Sequence, residues 1–291
     1  MTTGRDQASV IAAMAAVSTP RRAVHRPPGW AWGLARRIAP VRHLALLAVL
    51  LGAWQLASSV ILPARDPQMA ILLPAPSTLL TTAAALIASG ELLRHLLASL
   101  QREAIAFLFA ALAIPVGIAM GWWRGVYAQC YPVFEVLRPI PPLAWIPLSI
   151  LWFGLSDAQN QFIIFLGMVF PILLSTVEGV RRVDPNLIRA ARTLGASEGQ
   201  LLRRVIVPAA LPQILIGVRV GLGVGWMALV AAELVGANRG LGFMINDARS
   251  ILRTDIVIVG MLTIGLAGLA LDVALRAGAQ RLLPWSVGFG R

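Results

Sequence analysis

The sequence predicts an all-α, polytopic membrane protein with six transmembrane helices, and three observations carry that expectation. The 291-residue chain has a mean hydropathy of +0.76 with only 13% charged residues, too apolar a balance for a soluble domain. Its apolar residues come in unbroken blocks of the roughly 17 to 25 residues that cross a bilayer as helix. Its arginines gather mainly between those blocks.

In chain order, residues 1–42 are polar and Pro-rich, with a basic cluster at Arg21, Arg22, Arg26, Arg36, Arg37 and Arg42. The short apolar run at 8–18 looks like a signal-peptide core. Cleavage after it would leave the basic cluster outside, against the positive-inside rule, so an uncleaved cytoplasmic tail is expected. Leu44–Leu62 is charge-free and forms the first span. The segment 63–103 carries two apolar stripes, Leu79, Leu80, Ala83, Leu86 and Ile87, then Leu92, Leu93, Leu96, Leu97 and Leu100. Both read as helices that lie at the outer interface or extend the second span, Ala104–Trp123.

The third span lies between Arg138 and Asp157, and the fourth, Ala158–Val177, follows with hardly any loop. The fifth runs from about Pro212 to Val235 and the sixth from about Ile256 to Leu275. Six spans put both termini on one side. With the N-terminus inside, seventeen arginines fall on the inner side and six on the outer, which supports cytoplasmic termini. The expected organisation is a basic cytoplasmic tail (1–42), a first transmembrane helix with outer interfacial helices (43–103), a core (104–285) containing a cytoplasmic loop (179–212), and a C-terminal tail (286–291).

Composition also excludes chemistry. All 25 basic residues are Arg, so no Walker A lysine and no Schiff-base lysine exists in this chain. One cysteine, Cys130, excludes an internal disulfide, and His25, His43 and His95 have no metal-ligand spacing. No catalytic constellation and no metal site is expected. The net charge of +12 flanks apolar spans, so it reads as topology rather than nucleic-acid binding.

Several features carry mechanism. Gly217, Gly221 and Gly225, spaced by four, leave one face of span five bare for close helix approach, either within the fold or at a seam between two copies. Ala113, Gly117 and Gly121 repeat the device in span two. Span three holds Pro139, Pro141, Pro142 and Pro147, which break regular helix at membrane depth. Such backbone is tolerated where protein or a water-filled cavity surrounds it, so Pro142, Trp145 and Pro147 are candidates for a pathway wall or a structural kink. Trp226 and Glu233 of span five join that candidate set. Arg219 and Glu233 are about 21 Å apart along one helix and need other partners, while Asp272 and Arg276 can pair locally.

Spans one to four read as charge-free, which argues against an ion-coupled secondary transporter, the alternative class. The 179–212 loop is built rather than plain. Asp184 and Pro185 start a helix that runs through Thr193, and Gly195 stops it. Ser197 and Gln200 form a capping-box pattern for a second short helix ending near Pro208. With an apolar face at Leu187, Ile188, Ala191 and Leu194, the pair reads as a socket for a partner protein.

These residues resemble the cytoplasmic loop of membrane subunits of binding-protein-dependent ABC importers, written E-A-A, three residues, G, nine residues, I-x-L-P. Arg189-Ala190-Ala191, Gly195 and Val205-Ile206-Val207-Pro208 stand at that spacing, with Arg189 in place of the family glutamate. Further segments, "LRPIPPLAWIPLSILWFG", "ARTLGAS" and "GLGVGWMALVAAELVGANRGLGFMI", are similar to the nitrate, sulfonate and taurine permeases, closest to the taurine group. The resemblance implies a type I ABC importer permease fold in the bacterial inner membrane, with ATP and Mg on a partner and no cofactor in this chain. It implies a homodimer, a pair of ATPase subunits and a periplasmic binding protein. Arg189, Ala190, Ala191, Leu194, Gly195 and Pro208 would form the ATPase contact. The implied cargo is taurine or another alkanesulfonate, with nitrate or bicarbonate as the alternative.

Overall fold

The computed structural model describes residues 45–66 and 69–283, and among them the chain is helical with no strand. The expected tails at 1–42 and 286–291 lie outside the described residues. The described chain divides into two units at the Ala53–Trp54 boundary. Helix α1 (Ala45–Ala64) is long and apolar enough to cross a membrane.

In the second unit, α2 (Pro76–Ala88) opens on a proline, whose fixed φ suits a first turn, and buries Leu79 and Leu86 while Leu80 and Ile87 stay exposed. Gly90, at φ +73°, separates it from α3 (Glu91–Ala110), which continues through a two-residue turn into α4 (Ala113–Trp122). The second expected stripe is therefore the beginning of span two, a 32-residue apolar stretch from Glu91 to Trp122. This corrects the expected start at Ala104, and the 103/104 boundary falls inside α3. Arg102 and Glu103, which closed the predicted span, are buried within it at 2% and 3% exposure.

Span three is also corrected. It is a broken pair: α5 (Arg124–Leu137), then a short 3₁₀ turn at Pro142–Trp145 leading into α6 (Ile146–Phe153), the halves bent by 82°. Pro139 and Pro141 lie in the bend, while Pro142 and Pro147 sit in first turns, where a missing N–H costs no helix bond. The prolines show where the helix breaks, and α5 lies before the expected start of the span at Arg138.

Helix α7 (Asp157–Arg181) is the centre of the core, packed by α4 and α3 and, most extensively, by α9 (Val207–Gly236). Two small-residue stripes make this possible. A Cβ on Gly117 would lie 2.7 Å from the Thr176 Cβ and one on Gly121 would lie 2.6 Å from the Val180 Cβ, both on α7. On the other side, Gly217, Gly221 and Gly225 meet Ser175, Ile172 and Met168 of the same helix. Close approach of this kind is the principal attraction available between apolar helices in lipid.

Gly217→Val is accordingly expected to destabilise the detergent-solubilised protein by about 1–3 kcal/mol through overpacking. Gly223→Val, whose Cβ meets nothing within 4 Å, is the matched control with little change in thermal unfolding.

After α7 come α8 (Pro185–Thr193) and a continuous helical run from Glu198 to Gly236 that includes α9. Pro208 does not end a helix, contrary to expectation. It follows a π-helical segment, Leu202–Ile206, whose wider turn accommodates the lost N–H, and the helix proceeds. Helix α10 (Leu241–Ser250), which no sequence signal marked, precedes α11 (Thr254–Leu282). Counting the bent pair as one span, the described chain has six.

Candidate functional site

At one end of α7 the chain builds a compact knob from local rules. The Asp184 carboxylate accepts from the Asn186 N–H at 2.8 Å, and Pro185 opens α8. Gly195, at φ +79°, takes the left-handed conformation that a side chain disfavours, and the Ala196 N–H returns to the Ala191 carbonyl at 3.1 Å. The Ser197 and Gln200 capping box then starts the next helix, with Arg192 donating to Glu198 at 3.0 Å across the turn.

Ile188 and Ala191 face inward onto Val183, Leu201 and Ile206, which anchors α8 on its own chain. Arg189, Ala190, Leu194 and Gly195 face outward together, with Leu194 88% exposed. Pro208 is not in that group; it sits half-buried on the run leading into α9. Arg189 donates to the Asn186 side chain at 2.6 Å, so its guanidinium is held along the outer face of α8.

The other end of α7 is tied by charge. The Arg102 guanidinium donates to Asp157 at 2.6 and 2.8 Å, to Glu233 at 2.7 Å and to the Arg239 carbonyl at 2.6 Å. Glu233, 1% exposed, also accepts from the Ser99 hydroxyl and from the Gly242 N–H at 2.9 Å. His95 accepts from the Gly240 N–H at 3.0 Å, and Ser99 from the Leu241 N–H. One guanidinium thus clasps α3, α7, α9 and the turn before α10. Sequence reasoning missed Arg102, although His95, Ser99 and Arg102 recur at helical spacing on one face of α3 and mark a polar seam. The reading of spans one to four as charge-free is corrected by the same cluster.

The remaining candidates separate. Trp226 donates its indole N–H to the Ile264 carbonyl at 3.2 Å and joins α9 to α11. Arg219 finds Asp272, at 2.6 Å, and Asp272 also pairs with Arg276 four residues on. Trp145 packs edge-on against Phe162 of α7 beside Pro142 and Pro147. Among the described residues no group of His, Cys, Asp or Glu is placed to hold a metal.

Residues 113–284 match the family described as "Binding-protein-dependent transport system inner membrane component". The chain belongs to that family. It is 43% identical over 88% of its length to the taurine transport system permease protein TauC of Escherichia coli K12, covering 93% of that protein. It is 38% identical to the putative aliphatic sulfonates transport permease protein SsuC of Bacillus subtilis 168, over 94% of this chain and 97% of that one. The nitrate import permease protein NrtB of Leptolyngbya laminosa is 37% identical over 64% of this chain and 67% of its own length. Among solved structures, an inward-facing MetNI methionine ABC transporter aligns with TM-score 0.53 at 21% identity, over 64% of this chain and 95% of that one. These fix the fold as that of ABC importer permeases, and the chain is a multi-span transport component.

Proposed function

We propose that this chain is the membrane-spanning subunit of an ATP-driven, binding-protein-dependent importer for a small organic anion, taurine or another alkanesulfonate first. The observation that carries the reading is the exposed knob of Arg189, Ala190, Leu194 and Gly195, joined without a long loop to α7 and to the run from Glu198 to Gly236. A push on that knob reaches both helices of the core, because α7 and α9 are locked by the glycine stripe.

In this reading the knob faces the cytoplasm and docks an ATPase subunit, and both termini are cytoplasmic, as the arginine distribution favours. A second copy of the chain and a periplasmic binding protein complete the importer in the bacterial inner membrane. The nucleotide and its Mg belong to the ATPase chain. The similarity to a taurine permease across most of both chains is the support for putting sulfonates ahead of nitrate and bicarbonate in this reading.

The test is competition in proteoliposomes holding permease, ATPase and binding protein. Unlabelled taurine and ethanesulfonate are expected to suppress uptake of labelled taurine, with nitrate and bicarbonate without effect at the same concentration. Nitrate uptake in place of taurine uptake would overturn the substrate assignment.

A further inference from the structure

The bend of span three carries polar groups that neither the knob nor the Arg102 cluster uses. Tyr127, Tyr131, Glu135 and Arg138 recur at i+4, i+4 and i+3 and so lie along one face of α5. Arg181 stacks over the Tyr127 ring at 4.3 Å, and the Tyr127 and Tyr131 rings stack at 4.7 Å. The Tyr131 hydroxyl donates to Glu135 at 3.4 Å. The stripe therefore begins at the knob end of α7 and climbs to the bend.

Depth follows from the packing partner. Phe134 lies edge-on against Phe170, which is about 20 Å along the 25-residue α7, near its midpoint. Arg138, the residue that caps α5, is one turn further on. It makes no side-chain hydrogen bond or ion pair among the described residues, and neither does it pair with Glu135, although i, i+3 spacing would allow that. Both side chains instead line one concavity of about 350 Å³, with Tyr131, Phe134, Pro139 and Leu174. Exposed charges of both signs at the middle of a membrane are costly against lipid and belong to a wet path.

We propose that this concavity is a binding station for a zwitterionic aminoalkanesulfonate, with Arg138 taking the sulfonate and Glu135 the ammonium. The inference rests on the importer reading and narrows its substrate. A station for a plain anion gains from Arg138 but is penalised by Glu135, whereas a molecule with both charges satisfies both. Guanidinium geometry matches two sulfonate oxygens at once. Tyr131 holds the Glu135 carboxylate toward the cavity, and Phe134, Pro139 and Leu174 supply an apolar wall for the short carbon chain.

The experiment uses the permease–ATPase complex in nanodiscs, where saturation-transfer NMR reads binding of taurine and of ethanesulfonate without the binding protein. Uptake of both by the complete wild-type importer is measured in parallel. Glu135→Gln is expected to lower the preference for taurine over ethanesulfonate about tenfold or more, the worth of a charge-assisted hydrogen bond. Arg138→Gln is expected to weaken both ligands by a similar factor, and Arg138→Lys to restore part of the loss. Co-elution of each variant with the ATPase reports folding, and the Lys variant keeps the test open if the Gln variant fails it. An unchanged preference in Glu135→Gln, or unchanged binding of both ligands in Arg138→Gln, overturns the station while leaving the importer reading intact. Wild-type protein that takes up neither sulfonate overturns the importer's substrate reading itself.

Discussion

Leu194→Glu is expected to abolish ATP-driven uptake and co-purification of the ATPase while leaving the permease folded. Leu194 is 88% exposed at the tip of α8 and contributes no core contact, so its loss removes only what docks there. An apolar anchor at the centre of an interface is commonly worth about 2 kcal/mol or more, and a buried carboxylate adds a desolvation penalty. Affinity for the ATPase should fall about thirtyfold or further. Gly195→Glu is expected to act in the same direction with an added folding cost, because the residue sits at φ +79°. Thermal unfolding of the isolated permease separates the two: unchanged for Leu194→Glu, lowered for Gly195→Glu. ATPase co-purification and coupled hydrolysis that persist in both would remove the knob from the mechanism.

Arg102→Ala is expected to be the most destabilising single substitution in the molecule. It leaves Glu233, which is 1% exposed, without a cation partner and leaves Asp157 only its pairing with Arg239, while the Arg239 carbonyl loses its donor. Removing one partner of a buried ion pair costs about 3–5 kcal/mol, because the remaining charge has no water to return to. Arg102→Lys keeps the charge but cannot fork to two carboxylates and should recover only part of the loss. The double variant Arg102→Ala with Glu233→Gln is expected to be more stable than Arg102→Ala alone, since the stranded charge is gone. Thermal unfolding in detergent across that set measures the coupling. Strict additivity would mean that the cluster is not a unit.

What was legible in the sequence was local. The caps at Asp184 and Ser197 and the turn at Gly195 each involve residues within a few positions, and all three stand where the local rules put them. The span count was legible because apolar length alone decides it. The Arg102 cluster was not, since Arg102 and Glu233 are 131 residues apart and no local pattern pairs them. The charges instead acted as a false boundary for span two. Pro208 misled for a related reason: a proline ends a helix only if the preceding turn cannot widen, and here a π-helical segment widens it. The glycine spacing of span five identified a close contact but could not name α7 as the partner. The proline run of span three located a break, while the 82° angle depends on how α5 and α6 pack on opposite halves of α7.

In the proposed importer, energy from ATP reaches the permease through the knob after α7. The most direct measurement is labelled taurine uptake by proteoliposomes of the complete importer, wild type against Leu194→Glu, energised either by ATP or by a proton gradient alone. Uptake by the wild type with ATP only, and none by the variant under either condition, is the predicted result. Uptake driven by the proton gradient without ATP, or ATP-driven uptake undiminished in the variant, would contradict it.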